Sequence, residues 1–158
     1  MGWLRWLVFG SKEPPRPEVR ASVRSRVASG SVEPLHIARG RGFTIEVAGE
    51  AHRQEALDGI CGGKCEDGHD LETTAQLLLI DDNPYDPNAV GVFISGELVG
   101  YIPRDAAPHI RAEVLRLSPD ERPVTCDAKI VGGGDRGDGD EGHYGVKLSL
   151  SNPMRLVR

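Results

Sequence analysis

The chain has 158 residues, 39 % of them hydrophobic and 5 % aromatic, enough for one domain with a modest core plus a tail and too few for a helicase motor or a two-domain enzyme. Its formal charge of −5 is uneven: up to Arg41 eight Lys and Arg stand against three acids, so the first part is net +5 and the remainder −10. An acidic body argues against broad binding along a phosphate backbone, which depends on many cations, but it leaves room for a small pocket that takes one strand end.

In chain order, Met1–Phe9 gathers Trp3, Leu4, Trp6, Leu7, Val8 and Phe9 around Arg5. Nine residues do not span a bilayer, which needs about 20, so no transmembrane segment is expected here. The stretch reads as a frayed terminus or as an apolar patch for a membrane surface or a protein partner, with Trp3 and Trp6 at its centre. No long apolar leader with a cleavage site follows. With an odd set of cysteines (Cys61, Cys65, Cys126), the expected location is a reducing cytoplasm. Residues 11–40 mix Pro, Arg, Ser and Glu without an apolar period and read as a disordered basic linker. The expected division is therefore a tail over residues 1–41 and a domain over 42–158.

Phe43–Val47 alternates with period two and predicts a strand. Gln54–Ile60 predicts a short helix stopped by the glycines after Cys61. Thr73–Ile80 predicts a central strand, and Ala89–Ile94 another. Ser95-Gly96-Glu97 predicts a hairpin turn into a strand over Leu98–Ile102. Asp105 is the expected N-cap of a helix running to Leu117, with Pro108 in its first turn and Ile110, Val114 and Leu117 on one face. Val124–Val131 and Tyr144–Leu150 predict two more strands around a polar Gly132–His143 loop. Six strands and two helices predict a mainly β, α+β fold, a small barrel or sandwich.

Most chemical motifs fail on context. Gly132, Gly134 and Gly137 match a dinucleotide-binding glycine pattern, but a strand follows them where a helix N-terminus is required. Asp135, Asp138, Asp140 and Glu141 do not have the alternate spacing of a calcium loop and read as a solvated hairpin. Cys61, Cys65 and His69 are weak zinc candidates, since a structural site wants a fourth ligand and neither Cys126 nor His52 is paired with them by spacing. Incidental thiols are the plainer reading, and no cofactor is expected. No Ser-His-Asp order, phosphate loop or H-E-x-x-H is present, and the expectation is a protein without catalytic activity.

The most informative stretch is Asp82-Asn83-Pro84-Tyr85-Asp86-Pro87-Asn88-Ala89-Val90. Two prolines stiffen a turn that carries a ring, a carboxylate and two amides at the mouth of a strand. Its composition fits an ordinary strand-entry turn, and stiff loops on a rigid sheet are also where binding residues concentrate. Taken with Val47-Ala48-Gly49-Glu50, Val99-Gly100-Tyr101-Ile102-Pro103-Arg104, Cys126–Gly133 and the closing strand to Leu150, the order of motifs resembles the HIRAN domain family.

That resemblance implies a six-stranded barrel related to the oligonucleotide-binding type, with two helices, and a pocket for the 3′-hydroxyl end of single-stranded DNA. Asn83, Tyr85 and Asp86 would form one wall, Tyr101 and Arg104 the other. Where relatives offer a tyrosine after the Gly-Glu pair, this chain has Ala51-His52-Arg53, so His52 would stack and Arg53 would contact phosphate. The expected function is a nucleic-acid-binding module acting in repair or at replication forks. The alternatives are a protein-interaction adaptor, supported by the acidic body and the Trp3/Trp6 patch, and a zinc-dependent hydrolase-like protein built on Cys61, Cys65 and His69.

Overall fold

The computed structural model describes residues 33–135 and 142–157. The N-terminal patch, most of the expected linker and Gly137, Asp138, Asp140 and Glu141 lie outside them. Among the described residues no helix is long and apolar enough to cross a membrane.

The fold is mainly β, with strands β1 (Leu35–His36), β2 (Ile45–Glu46), β3 (His69–Leu79), β4 (Val90–Ile94), β5 (Glu97–Tyr101), β6 (Val124–Gly132) and β7 (Tyr144–Ser149). A 3₁₀ turn (Glu50–His52) leads into helix α1 (Gln54–Cys61), and helix α2 (Ala107–Leu117) joins β5 to β6. The sheet runs β2-β7-β6-β3-β4-β5 with every neighbour antiparallel, and β1 adds in parallel to β6. Curling brings its two edges together just past β2. Ala48 N–H donates to the Tyr101 carbonyl at 2.7 Å, and Tyr101 N–H donates to the Ala48 carbonyl at 2.8 Å. The expected small barrel is thus present as a curled half-barrel whose edges touch at one bridge.

Glycine permits that contact. A Cβ on Gly100 would stand 2.6 Å from the Ala48 carbonyl oxygen and would run into Val47 Cγ1, so any larger residue pushes the edges apart. Inside the curl lie Leu77, Val92, Ile94, Val99, Cys126, Ile130, Val146 and Leu148, all buried. Each large aliphatic side chain there contributes about 1.5–3 kcal/mol by leaving water. Helix α1 seals the core with Leu57, and α2 with Ile110 and Val114. The face expected for α2 is thus the one that packs, with Leu117 half-buried at its end.

Several expectations change. The linker does not run to Gly40: Leu35 and His36 pair with Val124 and Thr125, and Ile37 is fully buried. The expected Phe43–Val47 strand is reduced to Ile45–Glu46. Strand β3 begins at His69, four residues before Thr73, because its exposed start pairs with the far end of β6 from Gly132 to Lys129. Asp105 does not cap α2; the cap is Ala106 with no side-chain bond, and the Ala106 and Ala107 N–H groups donate to the Pro103 carbonyl at 2.9 Å. The base of the Gly132–His143 loop also packs, since Gly133 is buried and Cys65 bridges to Gly134.

Candidate nucleic-acid interface

The β3–β4 loop is built by its own side chains. Asn83 Oδ1 accepts from the Tyr85 N–H at 2.8 Å and the Asp86 N–H at 3.1 Å. Asp86 Oδ1 accepts from the Asn88 N–H at 2.9 Å. These are side-chain mimics of a backbone turn. The Ile80 N–H then donates to the Ala89 carbonyl at 2.9 Å and closes the loop at its root. The Asn83 oxygen, expected on a pocket wall, braces the loop through these two bonds. Asp86 is half-buried and shares the bracing role, while its Oδ2 takes no part in these bonds.

Bracing leaves Tyr85 at the tip with 66 % of its surface exposed. Arg104, in the turn between β5 and α2, donates from Nη2 to the Tyr85 carbonyl at 2.9 Å and is itself exposed. A second fastening was not legible in the sequence: Arg111 on α2 pairs through Nη2 with the Asp81 carboxylate at the loop's first residue. Tyr85, Asp86 and Arg104 thus belong to one surface, held from two points of the β5–α2 segment.

The other expected residues gather around the edge-to-edge bridge. Tyr101 is half-buried, its backbone makes the bridge to Ala48, and its ring edge lies 3.7 Å from where a Cβ on Gly49 would stand. His52, exposed, ends the 3₁₀ turn and donates its N–H to the Gly49 carbonyl at 3.2 Å. Arg53, half-buried, is the residue between that turn and α1. The two groups are connected along the chain by Tyr101-Ile102-Pro103-Arg104 and across the sheet by the Gly91–Tyr101 pairing.

The zinc candidates have other partners. Cys65 Sγ donates to the Gly68 carbonyl at 3.1 Å, and His69 Nε2 donates to the Gly63 carbonyl at 2.8 Å. Burial, with Asp58 and Cys65 nearby, pushes the Cys61 thiol up. Cys126 is fully buried on β6, and its burial moves the thiol to about 12, so it is a core residue. Among the described residues no three His, Cys, Asp or Glu side chains are grouped to hold a metal ion.

What does surround His69 is a structural cluster that sequence reading missed. The Tyr144 ring is buried, its hydroxyl donates to Asp58 Oδ1 at 2.7 Å, His69 stacks on it with centroids 5.7 Å apart, and Lys64 Nζ lies 4.9 Å from its centre. Burial first, and then the bond to Asp58, raises the phenol above its usual range. Gln54 clamps the same strand end: its Nε2 donates to the Tyr144 carbonyl at 3.1 Å, and its Oε1 accepts from the Tyr144 N–H at 2.7 Å. The group locks α1 to β7.

Comparisons with family models, curated proteins and solved structures find no match to this chain.

Proposed function

We propose that the surface formed by Tyr85, Asp86 and Arg104 binds the 3′-hydroxyl end of single-stranded DNA, as the resemblance to the HIRAN domain implies. The observation that carries this reading is the bond from Arg104 Nη2 to the Tyr85 carbonyl at 2.9 Å, which ties an exposed guanidinium to the backbone of a tyrosine that is 66 % exposed. The terminal base stacks on Tyr85 whatever its identity, worth about 1–3 kcal/mol. Asp86 Oδ2 accepts the hydrogen bond of a free 3′-hydroxyl and repels a phosphate in the same position. Arg104, with one nitrogen engaged, directs its remaining N–H groups to the neighbouring phosphate. Tyr101, His52 and Arg53 extend the path, His52 by stacking and Arg53 by a phosphate contact.

The charge of the body sets the expected strength. Two phosphate contacts, at Arg104 and Arg53, give a salt slope of only about −1.4 for a single strand, so recognition rests on the end and not on the backbone. The test is fluorescence anisotropy with a short labelled strand at two salt concentrations. Tyr85→Ala should weaken binding by about 5- to 150-fold at either salt, and Arg104→Ala should flatten the slope by about 0.7. Unchanged affinity in both variants would remove this surface from DNA binding. Capture of a protein through Trp3 and Trp6 by a chain that binds no strand at low salt would favour the adaptor reading.

A further inference from the structure

A cavity of about 310 Å³ lies beside the Arg111–Asp81 fastening of the β3–β4 loop, between the second half of α2, the Ser118–Pro123 loop and the β3 residues Gln76–Leu79. Its size is at the lower end of small-molecule sites, about 300–1,000 Å³. Its floor is aliphatic, with Leu77, Val114 and Val124 buried, and Leu115 also lines it with 46 % of its surface exposed.

Two guanidiniums belong to its walls. The described bonds of each are made at Nη2: Arg111 to the Asp81 carboxylate, and Arg122 to the Glu33 carbonyl at 2.6 Å. Arg111 Nη1 and Arg122 Nε are buried and meet no acceptor among the described residues. Buried donors on charged groups are nearly always paired, because leaving them bare forfeits their hydration. Both orphan donors belong to residues that line one cavity.

Charge narrows what that acceptor is. Against Arg111 and Arg122 stand Asp81, Asp120 and Glu121, so the walls carry a net −1, which repels a phosphate dianion. A molecule that carries a carboxylate and an ammonium satisfies both signs. Asp120 and Glu121 are exposed, in a turn held by the Ser118 hydroxyl donating to the Arg122 carbonyl at 2.9 Å.

We propose that this cavity binds a small apolar α-amino acid, with its carboxylate on Arg111 Nη1 and Arg122 Nε, its ammonium toward Asp120 and Glu121, and its side chain on the aliphatic floor. Both orphan nitrogens are shielded by neighbouring atoms, so capture includes a side-chain rotation that turns each guanidinium toward the ligand.

The test titrates the full chain with L-leucine, leucinamide and N-acetyl-leucine and follows backbone amide resonances. Leucine should shift the Leu115, Asp120, Glu121 and Arg122 amides saturably, and both analogues should bind at least about tenfold more weakly. Arg122→Gln should lower leucine affinity by a similar factor. Because Arg111→Gln also releases Asp81, the ligand series on the unaltered chain and the Arg122 variant carry the test. Leucinamide binding as tightly as leucine overturns the guanidinium–carboxylate pairing, and N-acetyl-leucine doing so overturns the role of the acids. No saturable shift by about 50 mM leucine overturns the site.

Discussion

Replacing Asn83 by alanine separates a brace from a ligand contact. The Asn83 carbonyl oxygen accepts two backbone N–H bonds, at 2.8 and 3.1 Å, and the side chain is half-buried. Each such bond has a net worth of about 0.5–1.5 kcal/mol, and in a partly solvated loop the lower half of that range applies, so Asn83→Ala should lower the local opening free energy by about 1–2 kcal/mol. That corresponds to about 5- to 30-fold faster hydrogen exchange at the Tyr85 and Asp86 amides. Core amides of β3 and β6 should exchange as before, since the loop opens without the barrel. Asn83→Asp keeps an acceptor in the same place and should retain most of the protection. Unaltered exchange at Tyr85 and Asp86 in the alanine variant, or an equal loss in the aspartate variant, would refute the bracing role.

Two further consequences concern the barrel. Gly100→Ala forces a Cβ to within 2.6 Å of the Ala48 carbonyl oxygen and should cost about 1–3 kcal/mol in urea unfolding, with early exchange at Ala48 and Tyr101; Gly59→Ala on α1, where a Cβ meets nothing within 4 Å, should instead be neutral or stabilising by up to about 1 kcal/mol. Asp127 supplies a pH dependence. Burial alone would raise its carboxyl, but bonds from Arg39 Nε at 2.9 Å and His36 Nε2 at 3.1 Å outweigh it and hold the carboxyl below its ordinary 3.8. The unfolded chain therefore takes up the proton first. The stabilisation is complete above pH 3.8 and drains away as pH falls through the lower folded value, a loss that acid titration of the unfolding midpoint should show and Asp127→Asn should abolish.

The strands that were legible in the sequence are those whose side chains alone report burial. Val90–Ile94 is apolar at every position and buried throughout, and Val124–Gly132 alternates as its pairing between β3 and β7 demands. Elements that depend on distant partners were not legible. Leu35–His36 is two residues long and is a strand only because Val124 and Thr125 lie beside it. Asp70-Leu71-Glu72 shows no strand pattern and is held in β3 by β6.

At the candidate site, the residue types of the Asp82–Val90 turn pointed to its stiffness, and Asn83 and Asp86 do serve as turn formers, the plainer of the two readings open to them. Their bonds inside the loop leave Tyr85 exposed at its tip and Asp86 Oδ2 outside the bracing. The fastening of Arg111 to Asp81 could not be read, because helical spacing gives the face of a residue and not what lies opposite. The same applies to Tyr144 and Asp58, whose bond spans α1 and β7.

The most direct test of the end-binding claim compares one strand ending in a 3′-hydroxyl with the same strand ending in a 3′-phosphate, by anisotropy on the unaltered chain and on Asp86→Ala. With Asp86 Oδ2 taking the hydroxyl, the phosphate-ended strand should bind at least about tenfold more weakly, and the alanine variant should lose that preference. Equal affinity for both ends on the unaltered chain would contradict it.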